Sequence, residues 1–88
     1  MLRISEISLS DEAATLRLEG EMIGHNILEV RRAVEEFLTA GIRLTLDVAE
    51  LLFADRDGIA FLRELAGHKV ELINCSPFLN EQLKEVIN

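Results

Sequence analysis

Two stretches of apolar–polar alternation bracket one stretch of helical periodicity, and no other feature limits the possible folds of this chain as much. In residues 14–20, ATLRLEG, Leu16 and Leu18 alternate with Thr15, Arg17 and Glu19, the period of two that gives a strand one buried face. In residues 43–48, RLTLDV, Leu44, Leu46 and Val48 share a phase in the same way. Between them Ile27, Val30, Ala33, Val34, Phe37 and Leu38 recur at helical spacing, with Glu29, Arg31, Arg32, Glu35 and Glu36 on the other side, which predicts an amphipathic helix over residues 27–39. Asn26 is its expected N-cap and Gly41 its expected stop. Strand, helix, strand in this order makes a crossover unit with parallel strands.

The remainder extends that unit at both ends. Leu2 and Ile4 share one phase and Ile7 and Leu9 the other, so a first strand is expected with a bulge near Ser5-Glu6. Ser10-Asp11-Glu12 then forms a short connection that makes the first two strands an antiparallel hairpin. Downstream, residues 59–65 read as a short helix that Gly67 ends, and residues 69–73, KVELI, as a strand. Ser76 and Pro77 open a last helix, with Phe78, Leu79, Leu83, Val86 and Ile87 on one side. The expected class is α/β in the order β-β-α-β-α-β-α: a mixed sheet with an N-terminal antiparallel hairpin and crossover helices on at least one face. A chain of 88 residues fits one small domain, residues 1–88.

Charge and composition narrow the function classes. The formal net charge is −7 with the basic residues scattered, so the clustered cationic footprint of a nucleic-acid binder is missing. The same acidity disfavours an anionic membrane surface, and no apolar run approaches the roughly 20 residues of a spanning helix. The N-terminus lacks a long apolar secretory core, so a cytoplasmic protein is expected. Cys75 is the only cysteine and His25 and His68 the only histidines, which leaves no disulfide and no spaced zinc ligand set. No cofactor or metal is implied.

The stretch FADRDGIA, residues 53–60, matches the Asp-x-Asp-Gly opening of haloacid-dehalogenase phosphatases, where one carboxylate attacks phosphorus, a second moves protons and magnesium lies between them. Such an enzyme also needs a downstream Lys or Arg and a further acidic pair in a much larger domain. Lys69 begins a strand and Glu71 sits within it, so neither reaches Asp55. Cys75 lies between a strand end and a helix start, where a thiolate is stabilised, yet the Arg of a tyrosine-phosphatase loop is replaced by Glu81; a small apolar filler is the expectation. His25 and His68 are expected to be solvated loop residues, and Asp47 to accept backbone amides in a loop after its strand rather than bind metal. Gly20-Glu21-Met22-Ile23-Gly24 lacks the Lys, Ser or Thr of a phosphate-binding loop.

Taken together, Gly20-Glu21-Met22, Leu46-Asp47-Val48, the residues 53–60 and Ser76-Pro77 resemble, in order and spacing, a STAS domain, the fold of bacterial anti-sigma factor antagonists. The resemblance spans nearly the whole chain. It implies a non-enzymatic, protein-binding module of signalling and transcriptional regulation, with FADRDGIA as the switch loop leading into a short helix. Family members carry a Ser or Thr between the Asp and the Gly that a partner kinase, often the anti-sigma factor itself, phosphorylates. Arg56 and Asp57 hold those places here, and neither offers a hydroxyl. Ile23 stands where the family often has an acidic residue.

The resemblance therefore implies no catalytic residue and no phosphorylation site, but a partner-binding surface made of Glu21, Met22, Ile23, Gly24, Asp55, Arg56, Asp57, Gly58, Ile59 and Arg63. The implied partner is an anti-sigma factor or kinase-like regulator. The alternative is the ATPase of an ABC-type lipid transporter that a small STAS subunit supports. The phosphatase is the alternative from another class.

Overall fold

A computed structural model describes residues 1–84; Val86 and Ile87 lie outside the described residues. Strand β1 runs Leu2–Leu9 and β2 Ala13–Met22, followed by a 3₁₀ turn at Gly24–Asn26 and helix α1, Ile27–Thr39. Strand β3, Arg43–Ala54, leads into α2, Arg56–Ala66, then β4, Glu71–Ile73, and α3, Pro77–Lys84. The sheet order is β1-β2-β3-β4. The first pair is antiparallel and the other two are parallel, the mixed sheet that the sequence pattern predicts.

The alternation sorts the sheet into two faces. Ala14, Leu16, Leu18, Leu44, Leu46 and Val48 are buried and join Val30 and Val34 of α1 and Phe61, Leu62 and Leu65 of α2 in one apolar cluster. Each fully buried Leu or Val in it is worth about 1.5–3 kcal/mol relative to exposure. Thr15, Arg17 and Glu19 alternate with these residues and face the other way. The stop at Gly41 is as expected: its φ is 80°, its N–H donates to Leu38 O, and Ile42 N–H donates to Phe37 O. This left-handed closure satisfies the last carbonyls of α1 and favours glycine.

Several local expectations need correction. The β1 bulge falls between Glu6 and Ser8, at Ile7, and the bend that a bulge introduces leaves Ile7 and Leu9 exposed. β3 does not end at Val48. Two register shifts against β2, between Arg17 and Glu19 and between Gly20 and Glu21, insert extra residues in β3, so that the buried positions after Val48 become Leu51 and Ala54. That spacing of three hid six strand residues from a period-two pattern.

Asn26 makes no side-chain cap on α1; its Oδ1 accepts the Ile23 N–H at 3.3 Å instead. Helix α2 starts at Arg56, three residues earlier than expected. It does end at Gly67, but the left-handed residue is Lys69 with a φ of 72°, which shortens the KVELI strand to its last three residues. Ser76 Oγ accepts the Leu79 N–H at 3.1 Å, as a cap should, yet Phe78 points to solvent while Leu79 is buried.

Candidate functional site

Asp55 organises the end of the molecule that the sequence singles out. Because β3 runs straight into α2, Asp55 stands as the N-cap of α2 with extended backbone. Its Oδ1 accepts the Gly58 N–H at 2.8 Å, and its Oδ2 accepts the Gly24 N–H at 3.0 Å. One carboxylate thus satisfies an orphan amide of the helix and ties α2 to the turn after β2. Asp55 N–H donates to Met22 O at 3.1 Å, a second tie between the same two segments. The oxygens that a phosphatase nucleophile would direct at phosphorus are here held by backbone amides.

Around this clamp the residues expected at the partner surface divide into three groups. Met22, Gly58 and Ile59 are buried beneath it; Met22 is fully enclosed and joins the core with Ile59, which corrects their placement on the surface. Gly24, Asp55 and Asp57 meet on one flank, where a Cβ built on Gly24 would lie 3.8 Å from Asp57 Oδ2. Ile23 is half-buried beside them. On the other flank Arg56, Ala60 and Arg63 line a cleft of about 350 Å³ with Ala54, Asp55, Ile59 and Gln82. Arg63 also closes that cleft against α3, its guanidinium donating to Leu83 O at 2.9 Å and to Gln82 O at 2.8 Å. Glu21 stands apart on the far face of the sheet, its Oε1 3.5 Å from the N-terminal amine.

The segment expected to form a loop is therefore a strand end and the first turn of a helix. Asp57 lies in that first turn, where a negative charge is favoured by the helix dipole. Arg56 and Asp57 are both exposed.

A polar cluster on the sheet face opposite α1 and α2 is separate from this site. Asp47 is buried, and its Oδ1 accepts the Ala49 N–H at 3.0 Å and the Asn74 Nδ2–H at 3.1 Å, while Arg17 Nη2 lies 3.5 Å from Oδ2. The Ala49 amide first, then Asn74 and Arg17, hold its carboxyl below the usual carboxylate range against the opposing effect of burial. The expected amide-accepting role of Asp47 is present, although it sits at a bulge inside β3 rather than at a strand end. Asn74, a residue of left-handed φ (61°), is a member that no sequence motif marked. Cys75 is half-buried and desolvation pushes its thiol pKa up, the opposite of an activated thiolate. Among the described residues no group of three or more His, Cys, Asp and Glu could hold a metal ion, and no helix is long and apolar enough to cross a membrane.

No protein-family profile and no curated protein sequence matches the chain. Solved structures do. The chain is similar to the anti-sigma factor antagonist SpoIIAA in its unphosphorylated form, with a TM-score of 0.67 and 21% identity, over 90% of this chain and 79% of the other. This chain has the STAS-like fold. The phosphorylated form of the Bacillus cell fate determinant SpoIIAA superposes on the STAS-like domain with a TM-score of 0.63 and 21% identity, over 90% and 78% of the two chains. A Shewanella loihica protein with a SpoIIAA-like fold gives 0.60 and 14% identity, over 88% and 69%.

Proposed function

We propose that this chain is a non-enzymatic regulatory module that docks on a protein partner, as an anti-sigma factor antagonist does, without being switched by phosphate on its own α2 N-terminus. The observation that carries this reading is the clamp at Asp55. It fixes the turn at Gly24 and the first turn of α2 as one rigid unit, and presents Arg56 and Asp57 to solvent from it. A rigid pair of exposed charges suits protein recognition, because little side-chain and loop freedom remains to be lost on binding.

Between the cap and Gly58 there is no hydroxyl to modify. Asp57 places a permanent negative charge beside the helix N-terminus, where the dipole favours it, and with Arg56 it forms a constitutive recognition surface that no phosphate switches. The contact surface consists of Ile23, Gly24, Asp55, Arg56, Asp57 and Arg63, with Met22, Gly58 and Ile59 supporting it from below; Glu21, on the far face of the sheet, falls outside it. The partner class is an anti-sigma factor or kinase-like regulator.

The test is a binding and phosphotransfer experiment. Wild type, a double charge reversal at Arg56 and Asp57, and an Arg56→Ser/Asp57→Ser variant are used to retain partners from native lysate, and the retained kinase-like protein is then incubated with ATP. Wild type is expected to bind and stay unphosphorylated, the charge reversal to lose the partner, and the serine variant to accept phosphate. Unchanged retention by the charge-reversed variant would refute the placement of the surface. Recovery of an ABC-type ATPase instead would replace the regulatory reading by the transporter one.

A further inference from the structure

Beyond the clamp, β3 carries an edge that has no partner strand among the described residues after Asp47. β4 pairs only with Thr45, Leu46 and Asp47 of β3, whereas β2 accompanies β3 as far as Ala54. Among the described residues no strand lies along the outer edge of residues 48–54, and the backbone groups on such an edge are a template for an added strand. The side chains there are apolar and exposed: Leu52 by 78%, Phe53 by 48% and, across from them on α3, Phe78 by 64%. The three line one shallow crevice with Ser76 and Gln82.

Charge selects the occupant. Glu50 lies within this edge segment and is exposed; Glu19 and Glu21, in register with Glu50 and Phe53 on the neighbouring β2, face Arg3 and the N-terminal amine at 4.0 and 3.5 Å, so Glu50 is the carboxylate that borders the apolar strip. A second copy would bring its own Glu50 to the same edge, each copy carrying a net charge of −7. An anionic membrane would be repelled for the same reason. A segment with basic and apolar side chains matches both Glu50, within an acidic chain, and the crevice.

We propose that residues 50–54 of β3, together with Phe78, receive an extended segment of a partner protein in which basic and apolar side chains alternate, added as a strand to the sheet edge. Main-chain hydrogen bonds would supply affinity and the crevice specificity. This surface adjoins the cleft at the α2 N-terminus, sharing Ala54 and Gln82 with it, and stands whether or not that site binds a regulator.

The probe is a short, end-capped, fluorescently labelled peptide of alternating lysine and valine, titrated by anisotropy at low salt and followed by amide hydrogen exchange. Saturable binding with slowed exchange at residues 50–54 is expected. Affinity should fall about tenfold or more, which is about 1.4 kcal/mol, for the fully N-methylated peptide and for Leu52→Ser/Phe53→Ser. Ile7→Ser, at an exposed apolar residue of β1, should leave it unchanged. Both serine substitutions fall at exposed positions, and circular dichroism verifies that the variant is folded. Absence of saturable binding, equal affinity for the N-methylated peptide, or protection elsewhere would overturn the proposal. So would a dimer whose residues 50–54 are already protected, or binding of phosphatidylserine vesicles through Leu52 and Phe53.

Discussion

Replacing Gly58 with alanine adds one methyl group where there is no room for it. A Cβ on that backbone would lie 2.5 Å from Met22 O and 3.3 Å from both Ala54 Cβ and Asp55 Oδ1. None of these can retreat freely. Met22 O accepts the Asp55 N–H at 3.1 Å, and Asp55 Oδ1 accepts the Gly58 N–H at 2.8 Å, so relief of the clash must loosen either the tie to β2 or the cap. Overpacking of this kind costs about 1–3 kcal/mol. The gain in helix propensity from Gly to Ala, about 1 kcal/mol at most, opposes it. At 2.5 Å the clash falls at the upper end of that cost, so the expected net loss is about 2 kcal/mol, which for a domain of this size lowers Tm by roughly 8–16 °C.

Gly67→Ala is the matched control. Its φ is −79° and the nearest atom to an added Cβ is Glu64 O at 3.5 Å, so the same substitution strains nothing and should stabilise by about 0.4–1 kcal/mol through the unfolded chain. Urea unfolding followed by circular dichroism, with a common m-value, measures both. If Gly58→Ala proves as stable as wild type, the approach of α2 to the end of β2 is not rigid and the reasoning fails.

Other expectations follow from the same geometry. Asp55→Ala removes two hydrogen bonds at once and should cost about 1–3 kcal/mol in urea unfolding, against a few tenths for Asp57→Ala, where no amide depends on the carboxylate. Asp47 has a folded-state pKa below its unfolded value; its stabilisation is therefore present above an unfolded pKa of about 3.9 and is lost as pH falls through the folded value. Stability measured from pH 5 downward should accordingly fall less steeply for Asp47→Asn than for wild type, and equal slopes would deny that Asp47 contributes. Cys75, with its raised pKa, should react with a thiol reagent at neutral pH more slowly than free cysteine; faster reaction would restore it as a candidate nucleophile.

Much of the fold was legible because the elements that define it are locally periodic. Leu16 and Leu18, then Val30 and Val34, then Leu44 and Leu46 each announce a strand or a helix within a few residues, and all six are buried. Gly41 and Ser76 punctuate the chain by turn chemistry that is likewise local. Where periodicity failed, the cause was pairing between distant residues. Leu51 and Ala54 belong to β3 only because its register against β2 shifts twice, and Phe78 sits in a helical pattern yet faces solvent because the core takes Leu79 instead.

The same division holds for the candidate site. Residues 53–60 are distinctive in sequence, and the absence of a hydroxyl between Asp55 and Gly58 can be read from the letters alone, since it is a property of covalent structure. That Asp55 is a clamp rather than a nucleophile is decided by the Gly24 amide, which is 31 residues away along the chain. The burial of Met22 and Ile59, the separation of Asp57 from Arg56 onto opposite flanks of α2 and, among the described residues, the lack of a partner strand on the outer edge of β3 after Asp47 were decided in the same way. Each depends on which distant segment packs alongside, and side-chain identity carries no distance information until the backbone has brought those segments together.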